Sequence, residues 1–270
     1  AMLRNREVIK FHVDNGQVAR VELKDGSRIE AKQFISNIPP ANTFRMISSN
    51  LIRPVTRKRF ENMPLTVSSF IINIVFKKDC YPYVKHNFYY QKPGSVWNLH
   101  QYSESEWPLG YAVYLSPSSR TREFADGMTI FAYMRYEEVS PWASSFNTTS
   151  HPGDRGAGYE SFKKKKVDQL LDKVEERFPG LRNCIKTYYT STPLSYRDYI
   201  GNDDGNLYGP VPAYRAPLAG LVYPKTKIPN LYLTGQSLNL HGILGTAISG
   251  LIAAAAVMGK NDFIEKIRNA

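Results

Sequence analysis

The sequence predicts a chain of the α+β or α/β class, on three observations. Several runs carry apolar side chains at the period of a strand, and one long segment repeats them at the period of a helix. The last forty-odd residues hold a short apolar run, a glycine turn and a small-residue helix. With 270 residues, 42% of them apolar and 22% charged, disorder and collagen-like repeats are excluded. At this length roughly 75% of the unfolded surface can be hidden, so a core requires neither metal nor disulfide.

Residues 1–40 read as a β-meander. Val8, Phe11 and Val13 lie in a first strand, Asp14-Asn15-Gly16 turns, and Val18, Val21 and Leu23 lie in a second. Lys24-Asp25-Gly26 turns again into a third strand near Ile29, and Gln33-Phe34-Ile35-Ser36 forms a fourth that Pro39 and Pro40 end. Helices are expected over 41–47 and 54–61. Between 66 and 76, Phe70, Ile72, Ile74 and Phe76 fill one strand face while Val67, Ile71 and Val75 make the other apolar, which predicts cover on both sides. Further strands over 86–91, 109–115 and 128–136 build an aromatic-rich antiparallel or mixed sheet. One face meets helices and the other is a candidate wall of an apolar cavity.

The clearest amphipathic helix runs over 159–178, with Val167, Leu170, Leu171, Val174 and Phe178 in register and Pro179-Gly180 stopping it. Its lysine run, 163–166, reads as a solvated face. Residues 193–225, rich in Pro, Gly and Tyr, read as irregular loops.

The net charge of +11 asks about nucleic acid or anionic membrane. Aromatics sit in apolar alternations rather than among Lys and Arg, which disfavours nucleic acid. Peripheral contact with anionic membrane, where apolar substrates dissolve, stays compatible. Cys80 and Cys184 lie far apart without CxxC spacing, so neither a disulfide framework nor a zinc site is signalled, and a reducing, cytoplasmic location is expected. Residues 1–7 lack the apolar core of a signal peptide. Asn147-Thr148-Thr149 matches the glycosylation pattern, a frequent chance match. His12, His86, His100 and His151 show no ligand spacing, and no metal is expected.

The most informative stretch is Leu231-Tyr232-Leu233-Thr234-Gly235-Gln236 followed by Gly242-Ile243-Leu244-Gly245-Thr246-Ala247-Ile248-Ser249-Gly250. It describes a buried strand, a glycine turn and a helix whose N-terminus exposes unpaired N–H groups and partial positive charge. Glycines let a ligand approach the backbone closely, which suits a flavin or a phosphate. The uncharged run 242–259 falls short of the ~20 residues of a membrane span, so a buried helix is expected.

That stretch resembles the C-terminal flavin-contacting signature of FAD-dependent amine-oxidase-type enzymes, in the branch of phytoene desaturases, carotenoid isomerases and retinol saturases. Thr192-Pro193-Leu194-Ser195-Tyr196-Arg197-Asp198-Tyr199, Gly205-Asn206-Leu207-Tyr208-Gly209, and Val21 to Gly26 leading to Phe34-Ile35-Ser36-Asn37 resemble the same branch. The resemblance implies a mixed-sheet substrate domain at 41–225, flanked by remnants of a Rossmann-like FAD-binding domain at 1–40 and 226–270.

It further implies that Gly235 and Gln236 contact the ribityl and pyrophosphate of FAD. Gly242 opens the helix there, and Gly245, Thr246 and Ala247 would offer N–H groups to the flavin. Gln236 stands where many relatives place an acid and keeps hydrogen-bonding capacity without charge, which favours the saturase-like and isomerase-like members. Tyr196, Arg197, Tyr214 and His241 are the pocket candidates; no catalytic acid or base is assigned.

The family's GxGxxG turn, which holds the adenine and pyrophosphate, is absent from these 270 residues. The expectation is therefore the C-terminal half of a longer flavoenzyme, holding little or no FAD by itself and partnered by the missing nucleotide-binding half. A homodimer through exposed edges is also expected. The implied reaction is hydride exchange between FAD and an apolar polyene or isoprenoid; the alternative is a non-catalytic module that binds an apolar ligand or a partner.

Overall fold

The structure, a computed structural model, describes residues 2–211, 221–259 and 269. It divides into two units, one built from residues 1–66 and 208–270 and the other from 67–207. The division falls at 66/67 and 207/208 rather than at 40/41 and 225/226.

In the first unit β1 (Val8–Asp14), β2 (Gln17–Leu23) and β3 (Arg28–Glu30) form an antiparallel meander. Asn15 and Gly16 both take positive φ, 51° and 80°, the backbone that a two-residue hairpin turn requires. β4 (Phe34–Ser36) pairs in parallel with a strand from the far end of the chain, Leu231–Leu233. α1 (Pro40–Arg45) and α2 (Pro54–Glu61) each begin on a proline, whose fixed φ and missing N–H suit a first helical turn. Phe44 from α1, with Ile47 and Ile52 after it, joins Phe11, Val21, Phe34, Ile228 and Leu231 in one core. This shared burial is why residues 41–66 belong to the first unit. Asn230 ties the chain ends together: its Oδ1 accepts the Val18 N–H at 2.9 Å and its Nδ2 donates to the Val18 carbonyl at 2.8 Å.

The second unit is a five-stranded antiparallel sheet of β5 (Ser68–Phe76), β6 (Phe88–Gln91), β7 (Gly110–Pro117), β8 (Ala125–Met134) and β9 (Ile185–Ser191), ordered β6-β7-β8-β5-β9. α3 (Gly156–Glu175) supplies Val167, Leu170, Leu171 and Val174 to the core, where they pack with Phe70, Ile72, Ile74, Tyr111, Val113 and Ile130. A short α4 (Leu181–Cys184) leads into β9.

Several expectations are corrected here. β5 is covered along its whole length on one side only; on its other face Ser69 is buried and Ile71 half-buried, while Asn73 and Val75 are exposed. Lys166, expected in solvent, is 1% exposed. It lies four residues before Leu170 on the buried stripe, 2.5 Å from Glu138 and over the Trp107 ring. Residues 193–200 form a helix, α5 (Pro193–Ile200), rather than loop. Thr192 caps it, accepting the Leu194 N–H at 3.2 Å, and Ser195 Oγ accepts the Thr192 N–H at 3.1 Å, a reciprocal capping box. Cys80 and Cys184 form a disulfide, with Cα atoms 5.5 Å apart. The fold brings together what 104 residues of sequence separate. Among the described residues no helix is long and apolar enough to cross a membrane.

Candidate functional site

In the first unit, the site is built at the carboxyl ends of two parallel strands, where open α/β sheets characteristically bind ligands. We number the strand Leu231–Leu233 β10; it runs beside β4 in the register Leu231↔Phe34, Tyr232↔Ile35 and Leu233↔Ser36. The Thr234 N–H donates to the Ser36 carbonyl at 2.9 Å, so Asn37 and Gly235 leave the sheet side by side. Gly235 has φ +102°, and a Cβ there would sit 2.1 Å from Asn37 Oδ1. Only glycine fits.

α6 (Gly242–Met258) follows, N-capped by His241 without any side-chain cap hydrogen bond. Gly242 has φ +75° with open space where a Cβ would lie. The first N–H groups of a helix have no intrahelical acceptor, and here these are Gly242, Ile243 and Leu244. Thr246 and Ala247 lie inside the helix, where an N–H group ordinarily pairs with the carbonyl four residues earlier. Gly245 is a packing glycine, since a Cβ would come within 2.6 Å of the Leu240 carbonyl carbon. The Gly235 N–H is likewise committed, donating to Ser249 Oγ at 3.1 Å. Gln236 sits half-buried beside that turn.

His241 stacks on the Tyr208 ring, with centroids 5.0 Å apart and planes at 27°, and a Cβ on Gly209 would meet Ser237 Cα at 2.9 Å. Asn37, Tyr208 with Gly209, and the 235–249 turn and helix thus converge from three distant parts of the chain. Ser249 and the packing role of Tyr208 were missed by sequence reasoning; the quoted segments held both residues, but nothing in their spacing says that they meet. Positive helix-end charge, unclaimed N–H groups and glycine-only approaches make a place where a phosphate-bearing cofactor fits.

In the second unit, the face of the sheet opposite α3 is open. The register aligns Tyr89, Ala112, Phe131, Ile71 and Ser191 across all five strands, and Tyr114, Thr129, Asn73 and Tyr189 in the next row. Tyr89 packs edge-on against Tyr114, as Phe131 does against Tyr133.

Beside this face lies a cavity of about 610 Å³, lined among others by Ile71, Arg155, Tyr159, Ser191 and Tyr196. Tyr196 belongs to it, its hydroxyl 2.8 Å from Ser69 Oγ. Arg197 does not line it. Its guanidinium is spent on the backbone carbonyls of Ala143 and Ser145 and on Asp198, which fastens α5 to the turn before α3. Asp198, with no exposed side-chain surface, also binds Arg155 and accepts the Asn147 N–H at 2.8 Å. Burial pushes the Tyr159 phenol up, so it remains a hydroxyl, paired with Thr192 Oγ1 at 2.7 Å. Tyr214 lies outside the described residues.

No family model matches the chain. It is 27% identical over 256 residues to a chloroplastic prolycopene isomerase of Daucus carota, covering 91% of this chain and 38% of that protein. It is 27% identical over 141 residues to the all-trans-retinol 13,14-reductase of Danio rerio, covering 51% and 22%. Among solved structures, an oxidoreductase from Methanosarcina mazei superposes with a TM-score of 0.55 at 15% identity, over 94% of this chain and 49% of that one. The chain is similar to these isomerases and reductases. It spans less than half the length of the curated relatives it matches. The fold itself is shared with putrescine oxidase, at a TM-score of 0.55 and 12% identity over 95% of this chain and 49% of that one.

Proposed function

We propose that the chain contributes the flavin-facing turn and the substrate sheet of an FAD-dependent oxidoreductase acting on an apolar polyene or isoprenoid. The observation that carries this reading is the convergence of Asn37, Gly209, Gly235 and the open start of α6, together with relatives that act as a prolycopene isomerase and a retinol reductase. FAD, when bound, supplies hydride exchange with a carbon of the substrate. The chain's own residues do the rest. The N–H groups of Gly242, Ile243 and Leu244 donate to an anionic oxygen, Gly235 keeps the turn tight against Asn37, and the Gln236 amide adds hydrogen-bonding capacity without charge. The open aromatic face holds an apolar chain flat and excludes water from it.

A helix N-terminus contributes only about 0.3–1 kcal/mol to an anion at an exposed site. This chain therefore holds FAD weakly, and a GxGxxG-bearing segment, in the same polypeptide or on a partner, completes the cofactor site. Flavin absorbance of the purified chain, alone and co-expressed with the nucleotide-binding half of a related isomerase, tests this. The expected result is no retained flavin alone and stoichiometric flavin in the pair. Stoichiometric flavin on the chain alone, or none in the pair, overturns it.

A further inference from the structure

The cavity in the second unit continues the open face. Ile71 and Ser191 are the last two positions of the aromatic row that starts at Tyr89, and both also line the cavity. Four interstrand gaps place Tyr89 about 19 Å from Ser191, so a ligand lying along the row ends in the cavity. The surroundings change sharply there. The row offers Tyr89, Ala112, Phe131 and Ile71; the cavity offers Arg155, Lys163, Thr190, Ser191, Ser195 and Tyr199.

Arg155 is the pointed feature. Its side chain is 6% exposed, its Nε donates to Ser145 Oγ at 3.0 Å, and its Nη2 is bound to Asp198. Its Nη1 has no protein acceptor among the described residues, although the residue lines the cavity. A guanidinium nitrogen that faces a cavity without a protein acceptor is free to donate to a ligand or a water there. The other charges facing the space are Lys163, Asp154 and Glu160. Lys163 pairs with Glu160 at 2.9 Å, and Asp154 accepts the Gly156 N–H at 2.7 Å, so both acids are occupied and Arg155 Nη1 is left as the strong donor. Ser191 Oγ on the edge strand also has no protein partner among the described residues.

We propose that this cavity binds the oxygen-bearing end of an isoprenoid whose apolar body lies along the aromatic row, with Arg155 Nη1 and Ser191 Oγ as donors. The preferred ligand class is thereby an isoprenoid with a terminal hydroxyl or carboxylate, rather than a hydrocarbon polyene. This rests on the apolar-substrate reading above but not on its cofactor part.

Quenching of the chain's tryptophan emission by all-trans-retinol, all-trans-retinoic acid and the corresponding hydrocarbon without terminal oxygen tests the proposal. The two oxygenated probes are expected to bind at least about tenfold tighter than the hydrocarbon. Tighter binding of the acid than of the alcohol would mark ion pairing with Arg155, and equal binding would mark hydrogen bonding alone. Ser191→Phe, which fills the cavity from the edge strand without touching the Asp198 network, should erase the preference for the oxygenated probes. Arg155→Lys should do the same, with thermal unfolding checked alongside. Equal binding of all three probes by the unaltered chain overturns the subsite while leaving the apolar-substrate reading in place. A preference that survives in both variants also overturns it, and binding of none of the probes overturns both.

Discussion

α3 and α6 are helices of similar length with opposite fates. α3 carries four consecutive lysines and still buries a full stripe, from Tyr159 through Lys166 and Leu170 to Val174. α6 has no charged residue, yet only Gly245, Ser249 and Ala253 are buried, while Ile243 is 94% and Leu244 73% exposed. Amphipathic pattern, not apolar content, decides which helix closes a core. An all-apolar helix states only that its whole circumference is suited to burial. Among the described residues α6 meets β10 through its small side chains, where Ser249 reaches the turn at Gly235.

The sharpest way to test the contrast is to loosen the second unit alone. The Cys80–Cys184 bond closes a loop spanning 104 positions, for which the chain-entropy argument gives about 4–5 kcal/mol, an upper figure for measured disulfides. All three tryptophans, Trp97, Trp107 and Trp142, lie in the second unit. Urea unfolding followed by their fluorescence should therefore shift strongly on reduction or in the Cys80→Ser, Cys184→Ser double variant. An unchanged midpoint would remove the disulfide from the account of this unit's stability.

Next in size is Leu170→Ala, a fully buried position, expected to cost about 3 kcal/mol. Its counterpart Leu244→Ala on α6 should change stability by less than about 0.5 kcal/mol. Similar losses at the two sites would break the comparison. Gly235→Ala comes third, at about 1–3 kcal/mol from a left-handed backbone and the collision with Asn37 Oδ1. It should also abolish flavin retention in the co-expressed pair, whereas Gly250→Ala, with open space around it, should not.

The difference between the units also explains what was legible in the sequence. Strands with alternating apolar residues, such as β5 and β8, and the stripe of α3 declare themselves because burial imposes their period. α5 escaped because its signals, Thr192 and Ser195 three apart with Pro193 between them, are capping chemistry hidden in a Pro- and Tyr-rich stretch. β9 escaped because an edge strand with Lys186, Thr187, Tyr188 and Tyr189 exposed has no apolar alternation to show. The disulfide and the meeting of Asn37 with Gly235 are long-range facts that no local pattern contains. The glycine turn was legible as a motif. Which N–H groups start the helix without an intrahelical acceptor, those of Gly242 to Leu244, could be told only from the helix start.

The smallest expected effect concerns a single carboxylate in the second unit. Asp204 adopts φ 52° within a short 3-10 turn, a conformation asparagine tolerates as well as aspartate. Partial burial is the main reason its carboxyl titrates above the usual aspartate value, and the nearby charges of Asp203 and Glu137 push the same way. The folded state then holds this proton more tightly than the unfolded chain does. The group's favourable contribution is fully present below the ordinary value of 3.8 and is lost as pH rises through the folded value. At neutral pH the ionised carboxylate is a burden that Asp204→Asn removes. The variant should gain about 1 °C in Tm at pH 7, with the gap closing as the pH falls below the carboxylate range. A gain that persists in acid would assign the effect to backbone preference rather than to charge.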